Sequence, residues 1–171
     1  MGAALCCWLV AAASLPASAA AQCQLCAPDV EAAAAKPAPK PITIQIDAGV
    51  DFAKIGLRMM QQGGVAQINP VTGQRTLSGT LVDLGGLPVV GTVVIRGEPK
   101  GHVEVSFPTK VLLYNSTGAS YPLLDFTTTL KNNPKLGDDG VLRFTFAGRL
   151  QIDGSAVGTF RGGIPITVDY R

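Results

Sequence analysis

Cys23 and Cys26, in "CQLC", are the pair in this 171-residue chain whose type and spacing most directly suggest chemistry. A redox dithiol sits at a strand-to-helix junction, and Ala27-Pro28-Asp29-Val30 follows here instead. A structural zinc site needs four ligands, and His102 is the single histidine. Haem attachment needs a histidine after the second cysteine, where Ala27 stands. The favoured reading in an oxidising compartment is a disulfide between Cys23 and Cys26, or thiols without catalysis. An intermolecular cross-link comes next, and a redox or metal role last.

The remaining polar candidates read as surface chemistry. A nucleophile needs a base to activate it, but His102 falls on the polar side of the alternating "HVEVSF". Asp138-Asp139-Gly140 lacks the run of oxygen ligands that a calcium loop supplies and reads as a solvated turn. Asp47, Asp51, Asp83 and Glu104 show no pairing that would raise a carboxyl pKa for acid–base work. No glycine loop precedes a helix, so phosphate binding has no support. No catalytic residue, metal or cofactor is expected.

The elements that would position these residues divide into three regions. Residues 1–21 read as a signal peptide: an apolar stretch from Ala3 to Leu15, then small residues, with cleavage expected after Ala21. The stretch is too short to cross a bilayer core, which needs ~20 residues. Cys6 and Cys7 leave with it. Neither remaining cysteine follows a small residue, which argues against a lipid anchor. Residues 22–41 hold the cysteine pair and an Ala/Pro-rich linker, "APDVEAAAAKPAPKP", whose prolines favour extended backbone. The expected location is the periplasm, cell surface or medium, with no membrane span in the mature chain.

Residues 42–171 change to period two. Ile42, Ile44, Ile46, Ala48, Val50 and Phe52 share one parity, and Thr43, Gln45, Asp47 and Asp51 the other. Val103, Val105 and Phe107 alternate in the same way, as do Leu142, Phe144, Phe146, Leu150 and Ile152 around Gly148. The final "GTFRGGIPITVDYR" predicts a strand a dozen residues long, with Ile164, Ile166 and Val168 inward and Arg161, Thr167 and Asp169 outward. Turn residues punctuate these runs, notably Gly63-Gly64, Asn69-Pro70 with Gly73, and Asn115–Gly118. Eight to ten short strands with little helical periodicity predict an all-β, immunoglobulin-like or pilin-like antiparallel sandwich.

The segments "ITIQIDAGVDFAKI", "INPVTGQRTLSG", "RGEPKGHVEVSFP", "LGDDGVLRFTFAGRL" and "GTFRGGIPITVDY" resemble a bacterial exported family, domain of unknown function 4402 (DUF4402). The resemblance runs from Ile42 to the end of the chain and implies a signal-bearing β-sandwich. It also makes "NST" at Asn115–Thr117 a plain turn rather than a glycosylation acceptor. The closing glycine-aromatic-glycine strand is more weakly similar to chaperone–usher fimbrial subunits, which a partner's strand completes. The Ala/Pro-rich linker departs from that pattern, since a donor arm should alternate apolar residues.

Fourteen basic and twelve acidic residues give a net charge of +2, spread singly along the chain. Nucleic-acid binders show a clustered basic stripe instead. The expected function is a non-enzymatic structural or adhesive module, partnered through strand edges by other copies or surface proteins. The alternative is a small-ligand or carbohydrate-binding sandwich. Sugars stack on exposed aromatic faces, and the best candidates for that are Tyr114 and Tyr121.

Overall fold

The alternation from Leu142 to Ile152 becomes the spine of the fold. The computed structural model describes residues 38–59, 62–154 and 158–171, and the expected signal peptide, the cysteine pair and most of the expected linker lie outside them. Its strands are β1 (Thr43–Ala48), β2 (Ile55–Leu57), β3 (Gly64–Ile68), β4 (Arg75–Gly79), β5 (Leu81–Asp83) and β6 (Gly91–Arg96). They continue with β7 (Val103–Ser106), β8 (Lys110–Tyr114), β9 (Ser120–Thr128), β10 (Val141–Ile152) and β11 (Thr167–Tyr170). The described residues contain no helix, and every strand pair is antiparallel.

Twelve-residue β10 is long enough to serve several partners. Phe146 stands between Gly91 of β6 and Thr128 of β9, while Arg149 stands between Gln67 of β3 and Leu124 of β9. One flank of β10 therefore carries β6 and then β3 in succession. The other flank carries β9. Outside these, β1 adds to β6, β4 to β3 and β8 to β9, which completes a seven-stranded sheet. Two ribbons, β7–β11 and β2–β5, supply the facing layer.

Two apolar clusters join the layers. Around the first half of β10, Phe144 and Phe146 meet Val93 and Ile95 of β6 and Val103 and Val168 of the β7–β11 ribbon. Around the second half, Leu150 and Ile152 meet Ile55, Ile68, Leu113, Leu123 and Phe160. Full burial of side chains of this size contributes roughly 1.5–3 kcal/mol each. Packing at the first cluster also explains Gly91. It lies opposite Phe146, and any side chain there would overlap the phenylalanine ring.

Gly148 lies inside β10 without ending it. It marks a bulge. The ladder between β10 and β9 shifts between Ala147 and Arg149, and Asp125 opposite takes a left-handed φ of 47°. A Cβ on Gly148 would stand 2.9 Å from Leu123, so glycine lets β9 approach. The outer face of the bulge is closed by Arg149 and Asp125 at 2.5 Å.

The C-terminal segment departs from the expected long strand. Only Thr167–Tyr170 pairs with β7, because Pro165 has no N–H to give and Arg161 bridges Tyr114 of β8 instead. The inward and outward residues still follow the alternation. Val168 is buried, Ile164 and Ile166 are half-buried against the core, and Arg161, Thr167 and Asp169 are exposed.

Tyr170 explains why the pattern runs to the penultimate residue. Its hydroxyl accepts the Glu98 N–H at 2.6 Å and donates to the Lys40 carbonyl at 2.6 Å. The Lys40 N–H in turn donates to the Glu98 carboxylate at 3.1 Å. The last strand thus fixes the point where the chain enters the sandwich.

Candidate functional site

The alternation of residues 42–52 places Ile44 and Ile46 on the core side of β1, opposite Ile95 and Val93 of β6. Those two partners are fully buried, whereas Ile44 is 40% exposed and Ile46 50% exposed. The physical reason is position. Among the described residues β1 is the outermost strand on its flank, and the neighbouring core cluster takes in Ile42 and Val50 but not Ile44 or Ile46. The expectation of a half-buried strand from Ile42 to Phe52 is corrected accordingly. The ladder stops at Ala48 after an irregularity beside Asp47, and deep burial resumes only at Phe52.

Edge strands are commonly blunted by lysine, proline or inward-pointing charge. Thr43–Ala48 has none of these, although the irregularity beside Asp47 shortens its regular edge. The opposite face of β1 is polar and ordered. Gln45 donates to Asp47 at 2.6 Å, and Arg143 of β10 reaches Asp47 at 3.7 Å. Among the described residues no strand pairs with the outer edge of β1, which has two isoleucines under it.

A cleft of about 390 Å³ opens at the end of β8, lined by Tyr114, Asn115, Ser116, Thr159 and Arg161. Tyr114 is 51% exposed. Tyr121, the other sequence candidate for sugar stacking, is buried edge-on against Phe160 with ring centroids 5.4 Å apart. The strands separate the two: Tyr114 continues the exposed row of Lys110 and Leu112, and Tyr121 joins the buried row of Leu123.

A second cleft of about 370 Å³ lies between the β3–β4 turn and the loop after β5, with Arg75 and Asp83 in its wall. The Arg75 side chain is only 4% exposed and donates to the Phe52 carbonyl and the Asp83 carboxylate. That Arg75 hydrogen bond, with the Gly85 N–H at 2.7 Å, holds the Asp83 carboxyl below its ordinary pKa. With its charge answered, the pair acts as a clamp between β4, β5 and the segment before β2. No sequence signal marked Arg75, since its burial depends on a loop 23 residues upstream.

The other sequence candidates are not brought together. His102 is exposed, and its carbonyl accepts the Arg171 N–H at 3.0 Å. Glu104 faces Arg171 at 3.4 Å, and Asp51 caps the Ala53 N–H at 2.8 Å. Asp139 accepts from Val141 at 3.0 Å and shapes the turn that ends in Gly140. Asn115 accepts from the N–H groups of Thr117 and Ala119, the expected turn. Among the described residues no three His, Cys, Asp or Glu side chains assemble into a metal-holding group. Cys23 and Cys26 lie outside those residues.

Residues 42–170 match the family model described as Domain of unknown function (DUF4402). The chain belongs to the DUF4402 family. The match begins one residue before β1 and ends with Tyr170, so the β1 edge, both clefts and the Tyr170–Glu98 contact fall within it, while Lys40 lies just outside. No curated protein and no solved structure matches the chain significantly. The weaker likeness to chaperone–usher subunits has no counterpart in these comparisons.

Proposed function

We propose that this DUF4402 protein is an exported, non-enzymatic structural or adhesive module of a fimbria-like surface assembly, in which the β1 edge pairs two copies. The observation that carries this reading is Ile44 and Ile46, exposed on the core side of an unblocked edge strand. The edge is self-complementary. Two copies of β1 aligned antiparallel about Gln45 place Ile44 opposite the second copy's Ile46 and Thr43 opposite its Asp47, with no like charges facing. Such a contact is isologous, continuing one sheet and one apolar row across a two-fold axis.

A ladder this short buries less than the roughly 800 Å² per partner of a standard interface. A cross-link through Cys23 or Cys26 would supplement it by holding copies at high effective concentration. Export follows from the signal-like start, and an intact mass beginning at Gln22 is its expected signature.

The test is the mass distribution of the exported protein, by light scattering after size exclusion and by electron microscopy, with and without reductant. Wild type is expected to associate, and reductant to weaken the association. Ile44→Lys/Ile46→Lys, which puts two charges on the core side of the edge, is expected to be monomeric with an unchanged melting curve. A wild type that stays monomeric at high concentration overturns the reading, as does a double variant that associates like wild type.

A further inference from the structure

The cleft at the end of β8 lies across β10 from the β1 edge, and its geometry is that of a ligand subsite. Tyr114 and Arg161 exchange backbone hydrogen bonds, with Tyr114 N–H to Arg161 C=O at 2.8 Å and the reverse at 2.9 Å. Residues so paired carry their side chains on the same face, about 5 Å apart at Cβ. On the other side Tyr114 is paired with Ser120 of β9, which adds a hydroxyl to the row. Arg161, Tyr114 and Ser120 therefore stand abreast on the outer surface.

Below Tyr114 on the same face, Leu112 is 40% exposed and lies opposite half-buried Pro122. The ring and these two side chains make an apolar platform. Beside the ring, the cleft is lined by Asn115, Ser116, Thr159 and Arg161, which bring an amide, two hydroxyls and a guanidinium to it. Among the described residues no carboxylate forms an ion pair with Arg161. The Asn115 side-chain oxygen is taken up by the turn, at 3.1 Å from Thr117 N, 2.8 Å from Thr117 Oγ1 and 2.9 Å from Ala119 N. Its NH₂ is then the part of the amide that can serve a ligand. The site offers a flat apolar face, several donors and one unanswered cation.

We infer that the Tyr114–Arg161 cleft binds a saccharide bearing a carboxylate, of the uronic-acid class. The C–H face of a sugar ring suits the exposed tyrosine face, and its hydroxyls suit the hydroxyl and amide rim. A ring carboxylate suits the guanidinium, which binds carboxylates through two parallel hydrogen bonds. A neutral sugar would use the platform and leave the arginine idle. A simple carboxylate would use the arginine and leave the platform idle.

The inference is tested on the full exported chain by following backbone amide resonances during titration with trigalacturonate, maltotriose and acetate. Trigalacturonate is expected to give saturable shifts at Tyr114, Asn115 and Arg161, with maltotriose about tenfold weaker or more and acetate not saturating. Tyr114→Ala is expected to weaken trigalacturonate binding about tenfold. Arg161→Gln is expected to erase the preference for the acidic sugar. Both positions are exposed, and unchanged amide spectra elsewhere confirm that the variants are folded. Ile44→Lys/Ile46→Lys is expected to bind trigalacturonate like wild type, so this inference and self-association fail separately. Absence of saturable shifts overturns the inference, as do shifts that survive Tyr114→Ala or an acid preference that survives Arg161→Gln.

Discussion

At the scale of single residues, the Arg75–Asp83 pair joins one almost fully buried group to one exposed group. Losing the carboxylate leaves the guanidinium desolvated without its counter-charge, which is the costly way to break such a pair. Because the folded-state pKa of Asp83 is lowered, its contribution is fully present above the unfolded-state value of about 4. That contribution fades as the pH falls through the lower folded-state value. Asp83→Asn is therefore expected to be less stable than wild type at pH 7, with the gap narrowing below about pH 4 in denaturant titrations. A gap independent of pH would remove the ion pair from the account. The sequence displayed both residues but nothing joined them, because the contact depends on how a turn and a loop fold over β4. Tyr114 and Tyr121 were not separated by the sequence either: Tyr121 shares its parity with both Leu123 and Asp125, while Leu124 and Phe126 fill the other row, so packing decides which row is buried.

Elements were legible where alternation coincided with a covered position in the sheet. β10 and β7 met both conditions, and their inward residues follow the pattern directly. β1 met only the first. Its isoleucines alternate as a buried strand's would, yet the strand lies at the edge, and coverage is a property of its neighbours. β11 illustrates the complementary limit, since Pro165 and the bridge at Arg161 shorten its ladder to four residues while the inward parity survives. Val168→Asp is expected to cost about 3 kcal/mol or more by placing a carboxylate in the cluster with Phe144 and Phe146. Thr167→Asp, on the wet face, is expected to cost less than about 1 kcal/mol. Denaturant midpoints of the two variants check this, and equal tolerance would mean that β11 is not packed as described.

For the whole molecule, the all-β class was readable because turn residues and period-two runs recur throughout the body. The branching of the large sheet was not. It depends on β10 being long enough to pair with β6 and β3 in succession, a choice among many antiparallel arrangements that one sequence pattern allows. That arrangement sets β1 and β8 on opposite sides of β10, separating the proposed assembly edge from the proposed sugar cleft. The most direct measurement of the central claim is amide hydrogen exchange across Thr43–Ala48 in associated wild type and in the Ile44→Lys/Ile46→Lys monomer. The account expects β1 amides that face away from β6 to gain protection on association, with the amides of β10 unchanged. Association that leaves β1 unprotected, or that protects the β8 edge instead, would contradict it.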